Sequence, residues 1–485
     1  MGSGQVTSSV SPDFQGMHVT VAGLGVSGVP AAKVLHARGA IVTVVNDGDD
    51  ARAREQAAEL EALGVTVRLG DTASVSGSAA GALPEGTELI VTAPGWKPDK
   101  PLFQAARAAG VDIWGDVELA WRLRGPDAAP WLAVTGTNGK TTTVQMLASI
   151  LRAAGLRTAA VGNIGVSLLD AVLGDQEYDV LAVELSSYQL HWAPSLRAHS
   201  AAVLNLAPDH LDWHGSMEAY AKDKGRVYEG NRVACVYNVA DKLTEQLVRE
   251  ADVEEGCRAV GFTLGTPGPS QLGVVDGILV DRAFVENRHK NAQELAEVSD
   301  VNPPAPHNIA NALAAAALAR AYGVPPTAVR DGLRAFTPDA HRIAHVADVD
   351  GVAYVDDSKA TNTHAAEASL ASYESIVWIA GGLAKGATFD ELVAKSAKRL
   401  RGVVLIGADR ALIREALARH APEVPVVDLD RTDTGAMLAA VREARRLAVA
   451  GDTVLLAPAC ASMDMFANYN KRGDAFAQAV RELGA

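Results

Sequence analysis

Thirteen residues, Trp131-Leu-Ala-Val-Thr-Gly-Thr-Asn-Gly-Lys-Thr-Thr-Thr143, restrict the possible folds of this chain more than any other stretch. The apolar run Trp131 to Val134 reads as a buried strand. Gly136 and Gly139 follow, then Lys140, Thr141 and Thr142, then the helical pattern Val144 to Leu151. Strand, small-residue turn and helix in that order make a phosphate cradle. Glycines let backbone N–H groups converge on oxygen, the helix N-terminus adds partial positive charge, and lysine adds a full one. The hydroxyl of Thr141, directly after the lysine, is placed to ligate Mg²⁺. The strict pattern wants glycine where Val134 stands, so this is a shortened variant. An ordinary Gly-rich turn before a helix is the competing reading, but the flanking elements fit a nucleoside triphosphate site.

At 485 residues the chain exceeds one typical core and suggests about three domains. With 48% apolar residues it can bury several cores, which excludes global disorder. A formal charge of −14 without a basic run argues against a nucleic-acid partner. Cys235, Cys257 and Cys460 are odd in number and scattered, which favours a reducing compartment over a disulfide framework. Residues 1–16 hold no Lys or Arg and no apolar core. They read as a disordered leader and not as a secretory signal. No apolar run has the length of a membrane span. The expectation is a soluble cytoplasmic protein with no membrane partner, and nothing demands more than a monomer.

The first domain is expected over 17–120. Strand Met17 to Ala22 runs into Gly23-x-Gly25-x-x-Gly28, followed by a helix and a second strand ending at Asn46 and Asp47. This matches a dinucleotide fingerprint with an acid about 20 residues on. NAD or FAD, another nucleotide diphosphate, and a tight structural turn all remain open. A further strand stops at Ala93-Pro94-Gly95, at the carboxyl end where open α/β sheets bind ligands. The central domain, 121–337, adds Gly162-Asn163-Ile164-Gly165 and a strand ending in Glu184, where a Mg²⁺ ligand belongs beside a phosphate loop. Asp209, His210, Asp212 and His214 crowd into six residues with no zinc spacing. A base, an orienting group or part of a second Mg²⁺ shell fits them better than catalytic zinc. Lys222 and Lys224 read as a solvated helix face, residues 257–302 as short strands and turns, and Asn308 as a helix N-cap. In the last domain, 338–485, polar residues again bunch at strand ends: Asp356 to Asn362, Gly381 to Gly386 and Pro458 to Asp464. Alternating strands and helices imply mostly parallel sheets throughout.

Three function classes compete: an ATP-driven enzyme acting on a nucleotide-linked substrate, an NAD-dependent enzyme with a regulatory nucleotide site, and an NTP-switched binding protein. The switch explains the loop but not the polar strand ends of three domains, and the dehydrogenase explains only the first domain.

Six motifs in order separate these classes. Gly136-Thr-Asn-Gly-Lys-Thr-Thr142, Glu184-Leu-Ser-Ser-Tyr-Gln-Leu190, Asp209-His210-Leu-Asp212, His307-Asn308-x-x-Asn311, His341-Arg342 and Asp357-Ser-Lys-Ala-Thr-Asn362 resemble the Mur ligase family. The resemblance covers nearly the whole chain after the leader. It implies an N-terminal Rossmann-like domain, a central P-loop ATPase-like domain and a C-terminal Rossmann-like domain. Gly162-Asn-Ile-Gly165, Glu184 to Gln189 and Ala457-Pro-Ala-Cys-Ala-Ser462 look most like the branch that adds D-glutamate to UDP-N-acetylmuramoyl-L-alanine in peptidoglycan synthesis.

The resemblance also implies roles. ATP phosphorylates the substrate carboxylate to an acyl phosphate, the amine of D-glutamate attacks, and a tetrahedral intermediate collapses to amide and phosphate. Gly136, Thr137, Asn138, Gly139, Lys140, Thr141 and Thr142 hold phosphates, while Asn308, Asn311, Asp357 and Arg342 take the rest of ATP, with Lys359 lining that side. Thr141 and Glu184 serve Mg²⁺, and His210 a second Mg²⁺. Lys224 looks like a lysine carbamylated by CO₂, which overturns its solvated reading, whereas Lys222 keeps it. Gly25, Val26, Ser27, Gly28, Ala93, Pro94, Gly95 and Asn163 match the UDP-sugar site. Asn46 stands where the family branch has Asp, with Asp47 next, so either could meet uracil. Thr361, Lys385, Ser462, Met463 and Tyr469 match positions around D-glutamate, Tyr469 replacing a phenylalanine.

Overall fold

The computed structural model describes residues 12–70, 83–431, 433 and 435–483. The chain forms two compact units, Met1–Val301 with Ile309–Phe336, and Asn302–Asn308 with Thr337–Ala485. Two sheets lie in the first unit and one in the second, giving the expected three-sheet, mostly parallel α/β architecture.

The first sheet holds β1 (His18–Ala22), β2 (Ile41–Asn46), β3 (Thr66–Leu69), β4 (Leu89–Thr92) and β5 (Asp112–Gly115). Its strands are rich in β-branched residues, which suit a pleated surface covered by helices. All pairings are parallel in the order β3-β2-β1-β4-β5. Strand order reverses between β1 and β4. The Gly23–Gly28 turn and the Ala93–Gly95 loop therefore leave the sheet side by side, at the usual ligand position. The disordered-leader expectation needs correcting at its end. Residues 1–11 lie outside the described residues, but Phe14 is buried and meets Trp114 edge-on at 6.5 Å. One aromatic ring with a core partner is enough to tie down a segment that composition reads as polar.

The second sheet holds β6 (Trp131–Thr135), β7 (Ala160–Gly162), β8 (Leu181–Glu184), β9 (Ser200–Val203), β10 (Ala234–Asn238), β11 (Arg258–Phe262), β12 (Gln271–Val275), β13 (Ile278–Asp281) and β14 (Gln293–Glu297). In the order β14-β13-β12-β11-β10-β9-β6-β8-β7 it is parallel from β7 to β12 and antiparallel at the β12–β13–β14 edge. β6 is central and wholly buried, with β8 and β9 on its two sides. The ends of β6, β8 and β9 thus bring the phosphate loop, Glu184 and the Asp209–His214 segment to one edge. The Ala-rich helix begins at Pro306 (Pro306–Ala321), so Asn308 lies inside its first turn and is not the N-cap. Proline suits the first helical position because its missing N–H would be unpaired there anyway.

The second unit's sheet holds β15 (Ala344–Val349), β16 (Val352–Asp356), β17 (Ile376–Gly381), β18 (Leu400–Ile406), β19 (Val426–Asp428) and β20 (Thr453–Leu456), in the order β15-β16-β20-β17-β18-β19. Only the β15–β16 hairpin is antiparallel. Its turn is Asp350-Gly351, both at positive φ, 53° and 77°. That pair closes a two-residue turn with the twist a hairpin needs. Among the described residues no helix is long and apolar enough to cross a membrane.

Candidate active site

Burial of β6 fixes where the phosphate loop starts, and two glycines shape it. Gly136 and Gly139 sit at φ 152° and 83°, and a Cβ on Gly139 would run into the Asn311 Oδ1 atom. Only glycine meets both conditions. The helix Lys140–Ala153 then starts with no side-chain cap, leaving its N-terminal N–H groups directed at the loop. Lys140 Nζ folds back on the loop, donating to the carbonyls of Gly136 and Thr137 at 2.9 Å each. The Thr137 hydroxyl accepts from Ala207 N at 3.0 Å and lies 3.0 Å from the Tyr220 hydroxyl. Asn138 and Asn205 exchange two bonds, Asn138 N to Asn205 Oδ1 at 2.9 Å and Asn205 Nδ2 to Asn138 O at 3.1 Å. Asn205 was not singled out from sequence. Thr141 and Thr142 are buried within the first turn.

Glu184 ends β8 in register with Val134 of β6 and is 2% exposed. Its Oε1 accepts from Asn163 Nδ2 at 2.9 Å, so Asn163 spends its amide on this carboxylate. Among the described residues no donor reaches the buried Oε2. A buried carboxylate oxygen with no protein donor is costly, and a divalent cation is the partner that fits it. His210, at φ 55°, starts the short helix Leu211–His214, with Nε2 3.5 Å from Asp209 Oδ2. Burial holds its pKa below the usual value against the pull of Asp209, helped by repulsion from Lys224 and Lys140.

Lys224 is not on a solvated face. It is 2% exposed, with Nζ 2.8 Å from Gly136 O and 3.4 Å from Thr135 Oγ1, and it lies over the Tyr220 ring at 4.7 Å. Burial first, and then Lys140, push its pKa well below the usual lysine range, opposed by Asp209, Glu184 and Asp223. The group is therefore held toward a neutral, nucleophilic amine. Lys222, two residues earlier, is exposed as expected. Asp212 points to solvent, 81% exposed, while His214 is almost completely buried. Among the described residues no three His, Cys, Asp or Glu side chains converge as a metal set.

Around the first sheet, a Cβ on Gly28 would overlap the Gly23 carbonyl, which makes the third fingerprint glycine obligatory. Val26 at the loop tip is 83% exposed, and Ser27 Oγ donates to Asp116 Oδ2 at 2.9 Å. Asn46 is occupied by the loop itself: its Oδ1 accepts from Leu24 N at 3.1 Å and its Nδ2 donates to Gly48 O at 2.8 Å. Asp47 pairs with Lys100 through Oδ2 and keeps a buried Oδ1 that no donor among the described residues reaches. Trp213 Nε1 donates to Gly95 O at 3.1 Å, tying the Ala93–Gly95 loop to the Asp209–His214 segment.

In the second unit, Asp357 follows β16 and is buried. Its pKa is pushed up to about 6 by burial, against donation from the Ser369 hydroxyl and from Ile343 N. Arg342 acts on it electrostatically. His341, at φ 64°, is fixed by Asp356 Oδ2 at 2.6 Å, which raises its pKa. Lys359 Nζ lies 4.1 Å over the Tyr469 ring. Ser462 is buried, Met463 and Lys385 are exposed, and Thr361 is half-buried. Arg472, missed from sequence, is fully buried. It donates to Ser358 Oγ (3.0 Å), Ser358 O (2.8 Å) and Cys460 O (3.0 Å), joining the Asp356–Asn362 and Pro458–Asp464 segments. An arginine inside the amphipathic helix Tyr469–Leu483 carries no sequence signal of burial.

Family models match along the chain: a Mur ligase MurD-like N-terminal domain over residues 17–115, a Mur ligase middle domain over 134–319, and a Mur ligase glutamate ligase domain over 341–460. UDP-N-acetylmuramoylalanine--D-glutamate ligase of Streptomyces avermitilis is 86% identical over 98% of this chain and 100% of its own length. The enzyme of that name from Thermobifida fusca is 59% identical over 97% and 99%. Among solved structures, the UDP-N-acetylmuramate-alanine ligase MurC of Thermotoga maritima shares the fold with a TM-score of 0.53 at 18% identity, covering 96% of this chain and 100% of that one. MurF ligase from Thermotoga maritima, solved in complex with ADP, gives 0.56 at 15% identity, covering 98% and 97%. With relatives this similar over their whole length and with the motif order intact, the chain belongs to the Mur ligase family.

Proposed function

We propose that this chain is an ATP-dependent amide-forming ligase that joins D-glutamate to UDP-N-acetylmuramoyl-L-alanine in the cytoplasm. We read its domains as 17–120 for the UDP-sugar, 121–337 for ATP and 338–485 for the amino acid, working as a monomer. The observation that carries this reading is the edge where the phosphate loop, Glu184 and a buried Lys224 meet. ATP supplies the phosphoryl group that converts a carboxylate, whose leaving group would be oxide, into an acyl phosphate. Transfer between two anions needs charge neutralisation more than covalent help. Lys140 and the N–H groups of the helix start would neutralise phosphate, Thr141 and Glu184 would hold one Mg²⁺, and Arg342 would add positive charge. Glu184 Oε2, lacking a protein donor, supports the cation assignment.

His210 and Lys224 would hold a second Mg²⁺. The depressed pKa of Lys224 supports carbamylation: its neutral amine adds to CO₂, a proton leaves, and a carboxylate-like ligand replaces a cation. Asn308, Asn311, Asp357 and Lys359 would hold adenine, ribose and phosphate. Gly25–Gly28, Ala93–Gly95 and Asn163 would line the UDP-sugar. For uracil the spare Oδ1 of Asp47 favours Asp47 over the engaged Asn46. Thr361, Lys385, Ser462, Met463 and Tyr469 would surround D-glutamate. The test is ATP hydrolysis with UDP-N-acetylmuramoyl-L-alanine across D-Glu, L-Glu, L-Lys, diaminopimelate and D-Ala-D-Ala. Strict dependence on D-Glu supports the reading, while tight NAD binding with indifference to ATP would restore the dehydrogenase.

A further inference from the structure

The segments that carry Glu184, His210 and Lys224 meet at one buried carboxylate that no motif marks. Asp223 is 8% exposed and both of its oxygens are engaged. Its Oδ2 lies 2.9 Å from His191 Nδ1 and 3.0 Å from His214 Nδ1, and its Oδ1 accepts from Arg226 Nε at 3.1 Å. His214 continues the chain through Nε2, 2.9 Å from Ser187 Oγ. Ser187 and His191 sit on the short helix after Glu184, whose start is locked by the reciprocal bonds of Ser186 and Gln189. Their spacing of four residues puts both on the face toward Asp223. Tyr188 of that helix lies parallel to the His214 ring (5.6 Å, 4°) and against His210 at 4.8 Å. His191 is held edge-on by Trp192 and Trp213 at 4.6 and 5.2 Å.

We infer that Asp223, with His191 and His214, is a positioning unit that fixes His210 and Lys224, beside Glu184, where they can hold the second divalent cation. The inference rests on the two-Mg²⁺ reading above. Asp223 precedes Lys224 directly, so a shift of its carboxylate moves the lysine. Through His214 and Ser187 the same carboxylate holds the segment after Glu184, and through Tyr188 that segment presses on His210. A network serving stability alone would lower the unfolding temperature without touching metal affinity. Outer partners of metal ligands typically cost 10- to 100-fold in affinity when removed.

The test is Mn²⁺ titration of the full chain by EPR, with a non-hydrolysable ATP analogue and UDP-N-acetylmuramoyl-L-alanine present. Wild type should hold two Mn²⁺. Asp223→Asn should weaken the second at least about tenfold, leave analogue affinity within about twofold, and regain part of the loss as Asp223→Glu. His214→Asn keeps a donor toward Asp223 but loses Ser187, and carries the test if Asp223→Asn does not fold. Folded variants that bind the second Mn²⁺ within twofold of wild type overturn the inference while leaving the reading intact. One Mn²⁺ in wild type, or no effect of Glu184→Gln on either ion, overturns the reading and the inference with it.

Discussion

Asp357→Asn should make the protein more stable and less active. Wild-type Asp357 is buried and its pKa stands at about 6 against an ordinary 3.8. A difference of that size corresponds to roughly 3 kcal/mol disfavouring the charged form in the folded state. The sign follows from proton counts. Below pH 3.8 both states are protonated and no penalty exists. Between 3.8 and about 6 the folded state keeps a proton that the unfolded state has lost, so stability falls as pH rises. Above about 6 the folded state carries the charge and the full loss, roughly 3 kcal/mol, persists. Asparagine keeps an oxygen for Ile343 N, turns its Nδ2 toward the Ser369 hydroxyl, which can accept as well as donate, and does not titrate. Urea unfolding between pH 4 and 8, followed at Trp378, the tryptophan of the second unit, reads this directly. The variant should lack the wild-type decline and exceed wild-type stability at pH 7.5, while its KM for ATP rises. Parallel pH profiles for the two proteins would refute the reasoning, because burial would then not be raising this carboxyl.

Lys140→Ala and Glu184→Ala should each abolish ligation in a folded protein; phosphate release within threefold of wild type for either would sink the ATP assignment. Lys224→Ala should lose activity and regain part of it with short-chain carboxylic acids standing in for the carbamate. Indifference to them in a folded variant counts against carbamylation. Asp47→Ala should raise KM for the UDP-sugar far more than Asn46→Ala does, measured by initial rates at saturating ATP and D-Glu; equal effects would remove the uracil assignment. Gly139→Ala should lose nucleotide affinity, since its Cβ meets Asn311 and its φ of 83° costs about 1 kcal/mol or more for any side chain. Unchanged ATP-analogue affinity would mean the loop can reshape.

Much of this protein was legible in its sequence where local chemistry and local geometry coincide. The phosphate loop is such a place: glycine positions, lysine and the following helix all sit within one dozen residues, and the structure needs each where it stands. Asp350-Gly351 also signals a hairpin, but β15 before it is half-exposed and weakly alternating, so the first strand of the β15–β16 pair carries little sequence signal. Lys224 shows the opposite case. Lys222 and Lys224 are two apart on one helix and point about 200° from each other, so periodicity lets only one of them face solvent and does not say which. That β6 and Tyr220 close over Lys224 is a tertiary fact no local pattern encodes. Asp223, His191 and His214 come from three separate helices, and Arg472 looks like any amphipathic-helix arginine until two distant loops supply its acceptors. Periodicity reports which face of an element is apolar. It does not report which polar residue the fold will bury to hold two loops together.

The central claim is that ATP activates the sugar-linked carboxylate for attack by D-glutamate. It is tested most directly with UDP-N-acetylmuramoyl-L-alanine bearing ¹⁸O at both oxygens of that carboxylate, together with ATP and D-glutamate. Every amide formed should leave one ¹⁸O in the released inorganic phosphate, because the acyl oxygen departs with the phosphoryl group. Amide accompanied by unlabelled phosphate would contradict it.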